Sequence, residues 1–235
     1  PKNALAPEIS YQKGPPMTAS TDTLATLTNR VEDLLEDASN TKWSTDEIEE
    51  AIRQALHAYT DYLPHRAITT INAAAAREQD LSTFDYRSIE RVWWDYDASD
   101  PDHPPHWRDF EVWPGDILFI NDDDEPSSGD VIRIWYTANH TLEDLDSASS
   151  TTFDEHHASV IALGAAGFAA HARVATLSEQ ANLNDWAPRN LKEWAITQLD
   201  MFYQRLRLLS SQDAAQSSGL APLAPLDRWD TDNDW

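Results

Sequence analysis

Trp43-Ser44-Thr45-Asp46-Glu47-Ile48-Glu49-Glu50-Ala51-Ile52-Arg53-Gln54-Ala55-Leu56 contains a complete helix start. Ser44 and Glu47 stand at capping-box spacing, where each side chain accepts from the other residue's backbone N–H and satisfies donors that the first turn leaves open. Behind the box, Ile48, Ile52, Ala55, Leu56, Tyr59 and Leu63 recur at helical spacing, and Pro64 stops the run. Upstream, Leu24, Leu27, Val31, Leu34 and Leu35 mark one face of a helix over 22–38, with Asp22 placed to cap it. The short link 39–43 makes the two a helical hairpin, and Trp43 is expected to pack at its corner.

Downstream the rhythm changes. Segments 67–72, 79–84, 89–96, 107–113, 116–121 and 131–136 are short, rich in β-branched and aromatic residues, and separated by turn formers. Pro114-Gly115 reads as a tight hairpin turn between two of them. Helical spacing returns after Thr152-Phe153-Asp154-Glu155, a second capping-box pattern that opens a helix to about 177 with an Ala/Gly-rich centre. A last helix over 187–209 carries Leu191, Trp194, Ala195, Leu199, Phe202, Tyr203, Leu206 and Leu209, with Pro188 suited to its first turn.

The expected fold is therefore α+β and mainly α, a bundle of about four helices with a small inserted antiparallel β-sheet. Its parts are an extended N-terminal arm (1–21), a helical hairpin (22–66), a β-rich insert (67–150), a second helical hairpin (151–209) and an extended C-terminal tail (210–235). The tail combines a Ser/Gln/Ala stretch with Leu220, Leu223 and Leu226 spaced by alanine and proline, then Trp229 and Trp235 among aspartates. Such a segment favours extended geometry and reads as a docking arm.

Composition narrows the function. The 235 residues carry 17 basic and 41 acidic side chains, a formal charge of −24. Tight binding to nucleic-acid phosphates or to anionic membranes needs a Lys/Arg footprint that is missing here. An acidic wall still suits DNA that must slide past without sticking. An Asp-rich surface with lysine only at positions 2, 13, 42 and 192 also fits adaptation to a salt-rich cytoplasm. Cysteine is absent, which removes disulfides, thiolate metal sites and cysteine nucleophiles. The start of the chain lacks the apolar core of a signal peptide, and no apolar run is long enough to cross a bilayer. A soluble protein made in the cytoplasm is expected.

No catalytic set emerges. His156-His157, flanked by Asp154 and Glu155, point about 100° apart on a helix and cannot easily share one ion, and no His-Glu-X-X-His spacing occurs. Asp95, Asp97, Asp100 and Asp102 alternate like a calcium loop but lack its glycine and terminal glutamate. Asp122, Asp123, Asp124 and Glu125 form a second acidic knot; 95–130 holds twelve acids against Arg108 alone, 1 − 12 = −11. Paired carboxylates beside Trp93, Trp94, Trp107, Trp113 and Trp135 raise a carbohydrate-binding or glycosidase alternative, but nothing sets one carboxyl apart as an acid. Glycine-rich phosphate loops and nucleophile elbows are absent. The expectation is a non-enzyme with no metal and no cofactor.

Two short helices, a compact interruption, two longer helices and a free tail resemble the head–tail connector (adaptor) proteins of tailed viruses of bacteria and archaea. The likeness is carried by 24–35, 43–56, 165–175, Ser178-Glu179 and 191–209. It implies a virion protein of the neck, made in the host cytoplasm: a homo-oligomeric ring, expected to be a dodecamer, lining a DNA channel. The ring would sit between the portal protein and the next neck or tail protein. Leu220, Leu223, Leu226, Trp229 and Trp235 would dock on those partners, and Ala165, Ala169, Arg173 and Trp194 would lie at packing between subunits. The acidic residues of 95–102 and 122–125 would line the channel or face outwards. Another neck component (stopper or tail terminator) and a carbohydrate-binding module are the competing readings.

Overall fold

The structure, a computed structural model, describes residues 20–99, 106–178 and 186–217. Among them are four α-helices, α1 (Leu24–Leu34), α2 (Thr45–Tyr62), α3 (Ala158–Ser178) and α4 (Trp186–Ser217). Between α2 and α3 lie seven strands: β1 (His65–Asn72), β2 (Glu78–Asp80), β3 (Ser88–Trp94), β4 (Trp107–Arg108), β5 (Phe110–Trp113), β6 (Ile117–Ile120) and β7 (Val131–Ala138).

The capping box at α2 forms as its spacing requires, with Ser44 N–H donating to the Glu47 carboxylate at 2.7 Å and Glu47 N–H to Ser44 Oγ at 3.3 Å. At α1 the cap is Thr23, in a reciprocal box with Thr26, and not Asp22. Asp22 instead takes the guanidinium of Arg30 at 2.8 Å from outside the helix. In front of α3, Thr152 does not cap. Asp154 does, accepting from His156 N–H at 2.8 Å over a 3-10 turn at Glu155–His157.

The helices share one core of Leu27, Val31, Ile48, Ile52, Phe153, Ile161, Phe202 and Leu206, all fully buried. Trp43 seals the hairpin corner, its indole N–H donating to the Ala169 carbonyl at 3.2 Å and its ring lying 5.5 Å from the Arg173 guanidinium. Asp37 organises that corner. It accepts from Thr41 N–H and Oγ1–H (3.1 and 2.6 Å), Lys42 N–H (2.7 Å) and Trp43 N–H (2.9 Å). Desolvation works against its charge, but these donors outweigh it and hold the carboxyl well below the ordinary carboxylate range.

The insert corrects the expectation of a mainly α chain with a small sheet. It forms two antiparallel sheets, one ordered β1-β7-β3-β4 and one ordered β2-β6-β5, so the fold is mixed α/β with substantial sheet. The reason lies in burial. Leu81, Val92, Leu118, Ile120, Ile132 and Ile134 are fully buried in a second core built from both sheets, separate from the helical one. One small sheet leaning on helices could not enclose them. The Pro114–Gly115 turn joins β5 to β6, with Gly115 at φ +90° where a side chain would strain the backbone.

Helix α4 also overruns its expected end. The stretch 210–217 is helical up to Ser217 and not the beginning of an extended tail. Asp213 in that stretch pairs with Arg66 of β1 at 3.0 Å, a tertiary anchor that holds the last turns of α4.

Candidate functional site

Each strand of the four-stranded sheet sends alternate side chains into the second core and outwards. Register places Ile68, Trp135 and Arg91 abreast, and Thr70, Arg133, Trp93 and Trp107 in the next row on the same outer face. The aromatic rings make a continuous plaque. Trp93 stacks on Trp135 (6.3 Å between centroids, 11° between planes), while Trp107 meets Trp135 edge-on at 4.9 Å and Tyr96 meets Trp93 at 5.0 Å. Arg91 lies over Trp107 at 5.2 Å, and Arg133 over Tyr96 and Trp135 at 4.5 and 5.1 Å. Neither arginine has a carboxylate partner among the described residues. Ile68 is 50% exposed and Trp107 43%, whereas Trp93 is buried with its indole N–H unpartnered.

Beside this plaque, Arg77, Trp107, Arg108, Asp109, Asn121, Asp122 and Asp123 line an open, polar pocket of about 430 Å³. The expected acidic knot therefore sits next to arginines. Asp122 binds Arg108 at 2.6 Å, the Asp123 carbonyl accepts from Arg77 at 2.8 Å, and Glu125 lies 3.9 Å from Arg77. Burial opposes ionisation of Asp122, but the N–H groups of Asp124 and Asp123 and the charge of Arg108 outweigh it and lower its pKa. Asp124 donates its N–H to Asp122 at 3.4 Å. In the other acidic loop, Asp95 sits at φ 64° and Asp97 accepts from the Ser99 N–H and hydroxyl at 2.8 and 2.7 Å. Asp100 and Asp102 lie outside the described residues. Among the described residues, no group of His, Asp and Glu is arranged to hold a metal ion.

The residues expected at subunit packing lie elsewhere. Ala165 and Ala169 are buried within this chain, in the core that α3 shares with its neighbouring helices. Ala169 lies against α2, beside Glu47 and Ala51, whereas the close approach of α4 falls on Gly164 and Gly167. A Cβ on Gly164 would stand 2.8 Å from the Phe202 ring, and one on Gly167 2.9 Å from Leu199 Cγ. Arg173 is occupied by the Trp43 ring, and Trp194 packs half-buried against the helical core. Trp194 does begin a surface feature. Met201 and Leu208 follow it at successive heptad steps on α4, 39% and 62% exposed, and Ile196 nearby is 43% exposed. Leu220, Leu223, Leu226, Trp229 and Trp235 lie outside the described residues.

A histidine cluster at the junction of bundle and sheets escaped the sequence reading, which weighed only His156-His157. His140 Nε2 donates to the Leu63 carbonyl at 2.9 Å, and its Nδ1 lies 3.0 Å from the Thr152 hydroxyl. The His65 ring packs 5.4 Å away, and the Tyr59 ring 4.9 Å. The Tyr59 hydroxyl lies 2.7 Å from His157 Nδ1. Both covalent crossings between bundle and sheets, at 63–65 and 138–140, thus meet at one imidazole. Burial first, then the neighbouring His65, push the His140 pKa down to about 4, against hydrogen bonds that favour protonation.

No protein-family model matches the chain, and no curated protein matches it. Among the described residues, no helix is long and apolar enough to cross a membrane.

Proposed function

We propose that the chain is a structural subunit of the head–tail adaptor kind, which assembles into a ring between portal and tail and lets DNA pass through an acidic channel. The observation that carries this reading is the apolar stripe Trp194–Met201–Leu208 along α4. At 32 residues α4 is about 48 Å long, against about 31 Å for the 21-residue α3 beneath it. A long helix that leaves large apolar side chains on its outer side, in a chain this acidic, gains by burying them against a neighbouring copy. The overall charge of −24 supports a channel wall that does not hold DNA.

The test is the mass of the chain mixed with the portal ring of the same virion, for the wild type and for M201E/L208E. Both positions are exposed, so the variant should keep its circular dichroism and melting temperature while losing assembly on the portal. Unchanged assembly by the folded variant would sink the reading.

A second reading has one observation in its favour. The exposed indole of Trp107 beside Arg77, Asp109 and Asn121 is the chemistry of a saccharide subsite, an apolar ring face next to mixed donors and acceptors. Glycan-array binding lost in Trp107→Ala, with no assembly on the portal, would replace the adaptor reading with a carbohydrate-binding one.

A further inference from the structure

The outer face of the β1-β7-β3-β4 sheet has two arginines with no counter-charge among the described residues, in a chain where acids outnumber bases by 41 to 17. Arg91 and Arg133 lie against tryptophan rings, where contact with the aromatic surface keeps water from fully solvating them. A partner for this face must bring carboxylates for the arginines and flat apolar groups for Ile68 and Trp107. The chain itself contains such a segment. Residues 226–235, Leu-Asp-Arg-Trp-Asp-Thr-Asp-Asn-Asp-Trp, carry four aspartates against one arginine, 1 − 4 = −3, and two tryptophans.

The described part of the chain leaves this segment within reach of the face. Arg66 is on the same side of the sheet as Ile68, since both alternate outwards along β1. Its guanidinium holds Asp213 at 3.0 Å, so α4 ends at Ser217, one turn beyond a contact with the edge of the plaque. From Arg66 to the row of Arg133 and Trp93 is about 13 Å along the strand, and across three strand spacings to β4 about 14 Å. Residues 218–226, if extended, reach about 30 Å. The acidic, aromatic end can therefore lie across the arginines without leaving its own subunit.

We propose that residues 226–235 dock in cis on the arginine–tryptophan face of the four-stranded sheet, with aspartates on Arg91 and Arg133 and tryptophan on the Trp107 and Ile68 surface. The proposal does not depend on the adaptor reading. In a ring it makes the tail a stowed arm that a partner must displace.

Arg228 supplies the assay, because trypsin cleaves after it only when the segment is accessible. The intact chain is digested briefly and the release of 229–235 is followed by mass spectrometry, with total loss of intact core as the measure of folding. R91E/R133E should raise the rate of release about tenfold, and so should raising the salt concentration for the wild type. D230N/D232N/D234N, which leaves the sheet untouched, should give a similar rise, so the outcome does not hinge on the sheet variant folding. Equal release rates in wild type and D230N/D232N/D234N overturn the proposal. Protection that grows with protein concentration also overturns it, because the tail would then bind a neighbouring copy.

Discussion

Gly164 of α3 faces Phe202 of α4, and replacing it by alanine sets two effects against each other. Alanine is the better helix former, worth about 1 kcal/mol in a helix interior. Its Cβ, however, would stand 2.8, 2.8 and 2.9 Å from three carbons of the Phe202 ring, closer than van der Waals contact allows. The ring is fully buried, so it has no solvent to turn into, and the helix axes must separate or the rotamer must strain. Overpacking of this sort costs about 1–3 kcal/mol, and contact this short belongs in the upper part of that range. The net expectation is a loss of about 1–2 kcal/mol, or about 2–8 °C in melting temperature for a chain of this size. The assay is thermal and urea unfolding of Gly164→Ala, Phe202→Leu and the double variant. Phe202→Leu vacates the space the new methyl needs, so the double variant should be more stable than the sum of the single effects. A Gly164→Ala protein as stable as the wild type, or strictly additive effects, would refute the close α3–α4 crossing.

The remaining predictions concern the junction, the cap and the corner. In the folded chain His140 binds its proton only near pH 4, whereas unfolded it does so near 6.5, so the unfolded state holds more protons between those values. Stability therefore falls as pH drops from about 6.5 to 4, by roughly 3 kcal/mol across the whole window, and the loss stops growing below it. Urea midpoints measured from pH 7 to 4 should slope much less in His140→Gln, with a residual slope from His65 and His157, whose pKa values burial also lowers. Ser44→Ala removes the acceptor for Glu47 N–H and should cost about 1 kcal/mol, read as a lower urea midpoint with an unchanged slope. Trp43→Phe loses the indole N–H to the Ala169 carbonyl and should cost about 1 kcal/mol; full stability in this variant would remove that bond from the account of the corner.

What could be read from the sequence was whatever neighbouring residues decide between themselves. Ser44 and Glu47 complete each other within one turn, and Gly115 takes the left-handed backbone of its turn at φ +90° without strain, so both features are local and both formed. β-Branched and aromatic runs between turn formers mark the strands for the same reason. Pairing is another matter, because β1 lies beside β7 through a connection that spans the whole insert, and no short window shows that two sheets must close over Leu118 and Ile132 together. The small residues of α3 announce that something approaches closely, but they do not say whether the visitor is another subunit or the same chain; here α4 meets Gly164 and Gly167, and α2 lies beside Ala169. The stretch 210–217 reads as a linker, yet no glycine or proline interrupts it, and Asp213 within it pairs with Arg66 of a distant strand.

The arginine–tryptophan face was legible but overlooked. Arg91-Val92-Trp93 and Arg133-Ile134-Trp135 repeat one pattern at strand period, which puts arginine and tryptophan of each strand on a single side. Counting acids hid it, because a net charge of −24 directs attention to the carboxylates. In such a chain acids are the background, and scarce cations are the informative residues. Where the few arginines sit, and which of them pair, divides the surface more sharply than the acids do. Arg77 and Arg108 hold down the knot at 122–125, Arg66 pairs with α4, Arg173 lies on Trp43 in the helical bundle, and Arg91 and Arg133 lie on the aromatic rings of the sheet face. An acidic protein that keeps on tryptophan two guanidiniums with no carboxylate partner among the described residues is equipped to bind an acidic segment on that one face and to repel it elsewhere, which is the selectivity a stowed acidic tail requires.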